Sequence, residues 1–292
     1  QGAYNQARDY ANNRVQGTRT DAKGEKRPAM IIEHPDVKRM LMDMKSKTEA
    51  IRALALYTSY CFDVSKRHPS SQRRIQYSGR VSLLTPIVKA WATDKAINIA
   101  DIGIQIHGGM GYIEESGAGQ YWRDARITPI YEGTNGIQAI DLVNRKIIRD
   151  SGKSLFFLIQ EIEQNLTNFS NLEKNKFSDL GELVRESVNT LSRSTEFLLD
   201  QSSINADIVE SAARIFLDIF GNTVCAWLML EQAKNCMELL AEKSLDPLFL
   251  ESKIKTVKHF LKWQLPEILA LEKILLDGQS DLSLVSKEDF DV

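Results

Sequence analysis

The sequence predicts an all-α protein of two packed helical bundles, residues 1–150 and 151–292. Three observations lead there. Nearly every periodic segment places apolar residues at steps of three and four, the spacing of a buried helix face. No segment alternates with period two between turn residues, so no strand is predicted. The stretch "DSGKS" after Arg149 interrupts the helical patterns and divides them into two groups.

The first pattern, "HPDVKRMLMDMKSKTEAIRALALYTSY", carries Val37, Leu41, Met44, Thr48, Ile51, Ala55 and Thr58 on one face, with Asp36 just ahead of it. "KRHPSSQRR" (Lys66 to Arg74) is the densest basic cluster. Pro69 and its serines mark it as an exposed loop. A second long pattern runs from Leu83 to His107 and tolerates Pro86 and Gly103. Past residue 150, helices are expected to start near Ser154, Phe177, Ile204 and Pro247. The third is the clearest, with Val209, Ala213, Phe216, Phe220, Val224 and Trp227 in register. Pro266 should kink the fourth. The acidic, aperiodic tail from Asp277 should fray.

Composition narrows the function classes. The 292 residues are 43% hydrophobic and 26% charged with a net charge of −2, an ordinary globular balance without the basic footprint of a nucleic-acid binder. No apolar run is read as reaching the ~20 residues of a membrane span. Cys61, Cys225 and Cys236 lack metal-ligand spacing, so no metal site is expected. Buried reduced thiols in a cytoplasmic protein are the simplest reading. The first residue is Gln1, not Met, and the chain is expected to be processed or cut from something longer.

Two stretches could carry chemistry. "IQIHGGMGYIEESGAG" (Ile104 to Gly119) lacks the Gly-Lys-Ser/Thr of a Walker loop. It also has Glu114 where a dinucleotide fingerprint needs its third glycine. What remains is a permissive backbone after a long helix. It is either a helix C-terminus with a turn, or a place where main chain meets a phosphate or ring. His107 reads as a cap or packed ring, and Glu114 and Glu115 as solvated. The second stretch, "RDARITPIYEGTNGIQAIDL", holds one acid, Glu132, in an otherwise uncharged run from Ile127 to Ile140. Thr134 is the expected N-cap of the helix that continues through Ile137, Ile140, Leu142–Val143 and Ile147. The helix dipole favours a carboxylate there, and Gly133 leaves one side of it clear. Ile130 and Tyr131 could partly desolvate it, which would make it a stronger base. Local features leave helix-start decoration and a catalytic base both open.

"AYNQARDYANNRVQG", "IQIHGGMGY" and "WRDARITPIYEGTNGIQ" occur in that order. Together they resemble the C-terminal helical domain of the acyl-CoA dehydrogenase family over about residues 1–150. By layout, the segment after Arg149 resembles the C-terminal extension of a bacterial subgroup. The resemblance implies a four-helix bundle followed by a second helical bundle, with the family's N-terminal helices and β-barrel outside this chain. It implies FAD as cofactor and an acyl-CoA thioester as substrate. An electron-transfer flavoprotein would take the electrons, and the enzyme would be a homodimer or homotetramer. Glu132 matches the base that takes the α-proton while hydride leaves Cβ for flavin N5. Gly133 matches the glycine at the thioester, and Thr134 and Asn135 match contacts to FAD. Gly136 stands where many members have a glutamine, so only its backbone could serve. Arg14 matches an arginine on the FAD diphosphate of a neighbouring subunit. Gln105, Ile106, His107, Gly108 and Gly109 match the segment along the adenosine half of that FAD. His34 matches a further cross-subunit contact, although Pro35 replaces its usual polar neighbour. Arg123 and Asp124 match the family motif and read as a structural ion pair. This isolated chain is expected to be inactive for want of its barrel wall. The alternative is a non-catalytic helical module that makes only oligomer contacts.

Overall fold

A computed structural model describes residues 1–172, 178–243, 245–278, 282 and 284–291. It is predominantly helical, as the periodicity predicts. By contacts the chain divides into two compact units: Gln1–Glu49 with Ala92–Tyr131, and Ala50–Trp91 with Glu132–Val292. These bounds differ from the division at residue 150 because two long helices, α2 (Pro35–Arg67) and α3 (Ser71–His107), each contribute to both units.

The first unit opens with α1 (Gly2–Asn13), whose Ala3, Ala7 and Ala11 form a buried small-residue stripe at helical spacing. An antiparallel hairpin follows, β1 (Val15–Thr20) and β2 (Lys26–Met30), with Thr18 opposite Pro28 and Thr20 opposite Lys26. No strand was expected here, because every residue of β1 is exposed and no apolar face exists to alternate. The hairpin instead rests on polar devices. Asp21 Oδ1 accepts from the N–H groups of Lys23 and Glu25 in the turn. Glu33 pairs with Arg27 and also accepts from the Met30 N–H. After α3 come α4 (Gly109–Tyr112), a 3₁₀ turn at Glu114–Ser116 and α5 (Ala118–Arg126). The loop between α2 and α3 is only residues 68–70. Ser71–Arg74, expected in it, already belong to α3.

The second unit is built on α9 (Ala206–Glu242). Against it pack α6 (Asn135–Ile140), α8 (Ser178–Gln201), α10 (Pro247–Trp263) and α11 (Glu267–Asp277), while α7 (Lys153–Leu172) lies on α8. Phe177, near which α8 was expected to start, lies outside the described residues, as do 279–281, 283 and 292 of the tail. Pro266 does more than kink: α10 ends at Trp263 and α11 begins at Glu267, because proline cannot supply the interior N–H. By length and composition α9 could span a membrane, which the sequence reading did not anticipate, but 83% of its apolar window is buried in this unit. Cys61, Cys225 and Cys236 are buried and outside any disulfide among the described residues. Beyond α6 the helix widens into a π-helix, Asp141–Ile147, that buries Leu142, Val143 and Ile147.

Two tight features fix this core. Gly221 of α9 lies against the Trp91 ring, where an added Cβ would sit 2.5 Å from Cγ. The Trp91 indole N–H donates to Asn222 Oδ1 at 3.1 Å. Arg80 of α3 is 2% exposed and forks onto Glu161 of α7 at 2.9 and 2.7 Å. The same guanidinium donates to the Tyr57 hydroxyl at 2.7 Å.

Candidate functional site

The segment singled out by its lone acid is a turn. Glu132 has φ +54° and Gly133 φ +85°, so two consecutive residues are left-handed. Thr134 follows in extended conformation and caps α6, its Oγ1 accepting from the Ile137 N–H at 3.4 Å. The N-cap expectation is therefore met. The expected shielding is not: Glu132 is exposed, and Ile130 and Tyr131 are 47% and 49% exposed. The Glu132 carboxylate stands in solvent.

Asn135, which the resemblance matches to an FAD contact, is tied to α3. It is 6% exposed and engaged at both ends of its amide. Its Oδ1 accepts from Lys89 Nζ at 3.0 Å, and its Nδ2 donates to the Ala90 carbonyl at 3.0 Å. Sequence reasoning missed Lys89 altogether. Gly136 is exposed, and a Cβ there would make only an ordinary contact with Thr134 Oγ1 at 3.8 Å.

In the first unit the structure brings the ends of α1 and α3 together. The rings of Tyr10 and His107 stack with centroids 4.5 Å apart, one turn before Arg14. His107 is buried, and its Nδ1 bonds the Gly103 carbonyl at 2.7 Å. Ile106 is buried as well. Gln105, Gly108 and Gly109 are exposed. Gly108 turns the chain at φ +60°, and a Cβ on Gly108 or Gly109 would meet nothing within 4 Å. Gly111 is needed for close approach, since a Cβ there would strike the Ile104 carbonyl and come within 2.9 Å of His107 Cβ. Arg14 is exposed, and its guanidinium has no partner among the described residues. An unpaired guanidinium and an open glycine backbone near the same helix ends fit an anionic dinucleotide such as FAD.

His34 serves the hairpin. Its Nε2 lies 2.8 Å from the Gln16 carbonyl, and its ring fills the space beside Gly17, which has φ +73°. Arg123 reaches Glu114 at 2.8 Å, while Asp124 accepts from Gln120 at 2.7 Å, so the expected Arg123–Asp124 pair is replaced by one between α5 and the 3₁₀ turn. Among the described residues there is no cluster of three or more metal-capable side chains.

Comparisons with known proteins agree along the chain. The family model described as "Acyl-CoA dehydrogenase, C-terminal domain" matches residues 1–147. The one described as "Acetyl-CoA dehydrogenase C-terminal like" matches residues 158–285. A 3-methylmercaptopropionyl-CoA dehydrogenase of Ruegeria pomeroyi is 34% identical over 97% of this chain and 48% of its own length. A butyryl-CoA dehydrogenase of Syntrophomonas wolfei is 30% identical over 94% of this chain and 45% of its own. This chain thus spans about half the length of these curated relatives. Among solved structures, an acyl-CoA dehydrogenase from Bacillus anthracis complexed with FAD shares the fold. It has a TM-score of 0.73 at 20% identity and covers 95% of this chain and 46% of that one.

Proposed function

The chain belongs to the acyl-CoA dehydrogenase family, and from that premise we propose that it is the C-terminal part of an FAD-dependent enzyme that converts acyl-CoA thioesters to trans-2-enoyl-CoA, the reaction type of fatty acid β-oxidation. Residues 1–150 are its catalytic helical bundle and residues 151–292 an extension that packs against the body of the enzyme. FAD, when bound, accepts the Cβ hydride at N5. Glu132 takes the Cα proton onto a carboxylate oxygen. The turn carries this reading: an exposed carboxylate on a left-handed residue, followed by a glycine and a capped helix start. The left-handed pair turns the chain into α6, and a side chain at Gly133 would crowd that turn, since a Cβ there would come 3.3 Å from Gln138 Nε2. The N-terminus of α6 adds a positive dipole end where negative charge develops on the thioester oxygen. Thr134 and the Gly136 backbone, at that end of α6, would contact the flavin when it is bound.

Arg14, Gln105, Gly108 and Gly109 would hold the diphosphate and adenosine half of an FAD bound mainly by a neighbouring subunit. The working enzyme is then a homodimer or homotetramer. In this reading it is a cytoplasmic enzyme that passes electrons to an electron-transfer flavoprotein. The isolated chain has little or no activity, because water surrounds Glu132 and a solvated carboxylate is a weaker base.

In the whole enzyme, Glu132→Gln should retain FAD and acyl-CoA yet lose anaerobic bleaching of the flavin by substrate. Normal bleaching in that variant would overturn the base assignment and favour a helical module without chemistry at this turn. The purified chain should show no flavin absorbance bands, and stoichiometric FAD in it would overturn the account of its inactivity.

A further inference from the structure

Two successive left-handed residues, one of them not glycine, persist only where the surroundings over-determine them. Thr134 alone is a loose constraint, since its cap bond is 3.4 Å long. Asn135 is the next residue along, and it is buried, with its amide engaged at both ends on α3. One hydrogen bond fixes a point; two from opposite ends of a planar amide also fix a rotation. The partners are consecutive residues, Lys89 through its side chain and Ala90 through its main chain, so the anchor is a rigid helix rather than a loop.

We propose that Asn135 and Lys89 are positioning residues for Glu132. They pin the first turn of α6 to α3 and so hold the left-handed pair that aims the carboxylate. This rests on Glu132 being the base. It also gives Asn135 a task different from the cofactor contact that the resemblance implies. Rotating the first turn of α6 would swing a carboxylate three residues away. A displacement of about 1 Å at a reacting group costs about 10²-fold in rate.

The first test uses the 1–292 chain without cofactor. In Asn135→Ala and Lys89→Met, the Cα and Cβ chemical shifts of Glu132 should leave the left-handed range, while resonances of Phe216 and Phe220 in the α9 core stay in place. Unchanged Glu132 shifts in both variants would overturn the proposal. Should Asn135→Ala fail to fold, Lys89→Met carries the test, because Lys89 is only half-buried. In the whole enzyme, Lys89→Met should lower kcat by about 10²-fold with KM within about threefold of the parent, and Lys89→Arg should recover most of the loss. A loss of bound FAD with kcat per flavin unchanged would overturn the proposal in favour of a cofactor contact. If Glu132→Gln turns over normally, the base reading fails, and the chemical shifts still decide whether Asn135 and Lys89 set the turn.

Discussion

Glu132 occupies a conformation that would suit glycine better. A left-handed L-residue costs about 1–2 kcal/mol, whereas glycine costs about 0.5–1 kcal/mol in unfolded-state entropy. The first term is the larger. Glu132→Gly should therefore raise the stability of the chain by about 0.5–1 kcal/mol in urea denaturation, and an equal or lower stability would show the turn to be unstrained. Gly133→Ala should act oppositely and cost about 1–2 kcal/mol by the same measurement, since Gly133 also has positive φ. Glu132 and its Thr134 cap were legible in the sequence, because a lone acid, a glycine and a capping residue lie side by side. Asn135 was not. Its partners Lys89 and Ala90 lie 46 and 45 residues upstream, and no local pattern links them.

Among the elements, the helices announced themselves through apolar spacing and the hairpin did not. Only Ala29 of its two strands is buried. What holds it is charge, and that makes it responsive to pH. The hydrogen bond from the Arg27 guanidinium outweighs desolvation and, with the Met30 N–H, lowers the Glu33 carboxyl to about 2. A depressed folded-state value means that the stabilisation is fully present above the ordinary value of 4.5 and is lost as pH falls through about 2. Amide exchange in β1 and β2 should accelerate over that window while α9 stays protected, and Glu33→Gln should remove the dependence. Equal acceleration in α9 would show that the hairpin does not open by itself. Arg80 presents the opposite situation, a buried cation tied to Glu161. Arg80→Met should cost about 3 kcal/mol, the low end for a broken buried pair because Glu161 stays a third exposed. Arg80→Met with Glu161→Leu should recover much of that, and a double variant as unstable as the single would place the loss in packing rather than charge.

At the scale of the molecule, periodicity revealed where helices run but not which neighbour each half packs against. That is why the membership of Ala50–Arg67 of α2 and Ser71–Trp91 of α3 in the unit of α9 went unnoticed. The clear stripe of α9 was the better guide, since this helix is the centre of its unit. Gly221→Ala should force apart α9 and Trp91 and lower stability by about 3 kcal/mol, whereas a neutral result would mean that the Trp91 ring moves freely. Ile130 and Tyr131 lie at the other extreme. Replacing both with serine should leave the stability of the chain within about 0.5 kcal/mol, because each is about half exposed. In the whole enzyme the same change should weaken acyl-CoA binding. Normal binding there would show that these side chains form no wall of the substrate site.

The π-helix at Asp141–Ile147 carries one extra residue per wide turn between the Glu132 segment and the α9 contacts that follow. Removing a single residue from it would restore ordinary helical winding and rotate everything upstream by about 100°. Asn135 would then point away from α3. For a lineage accumulating small insertions and deletions, these seven positions should tolerate changes of letter far better than changes of length.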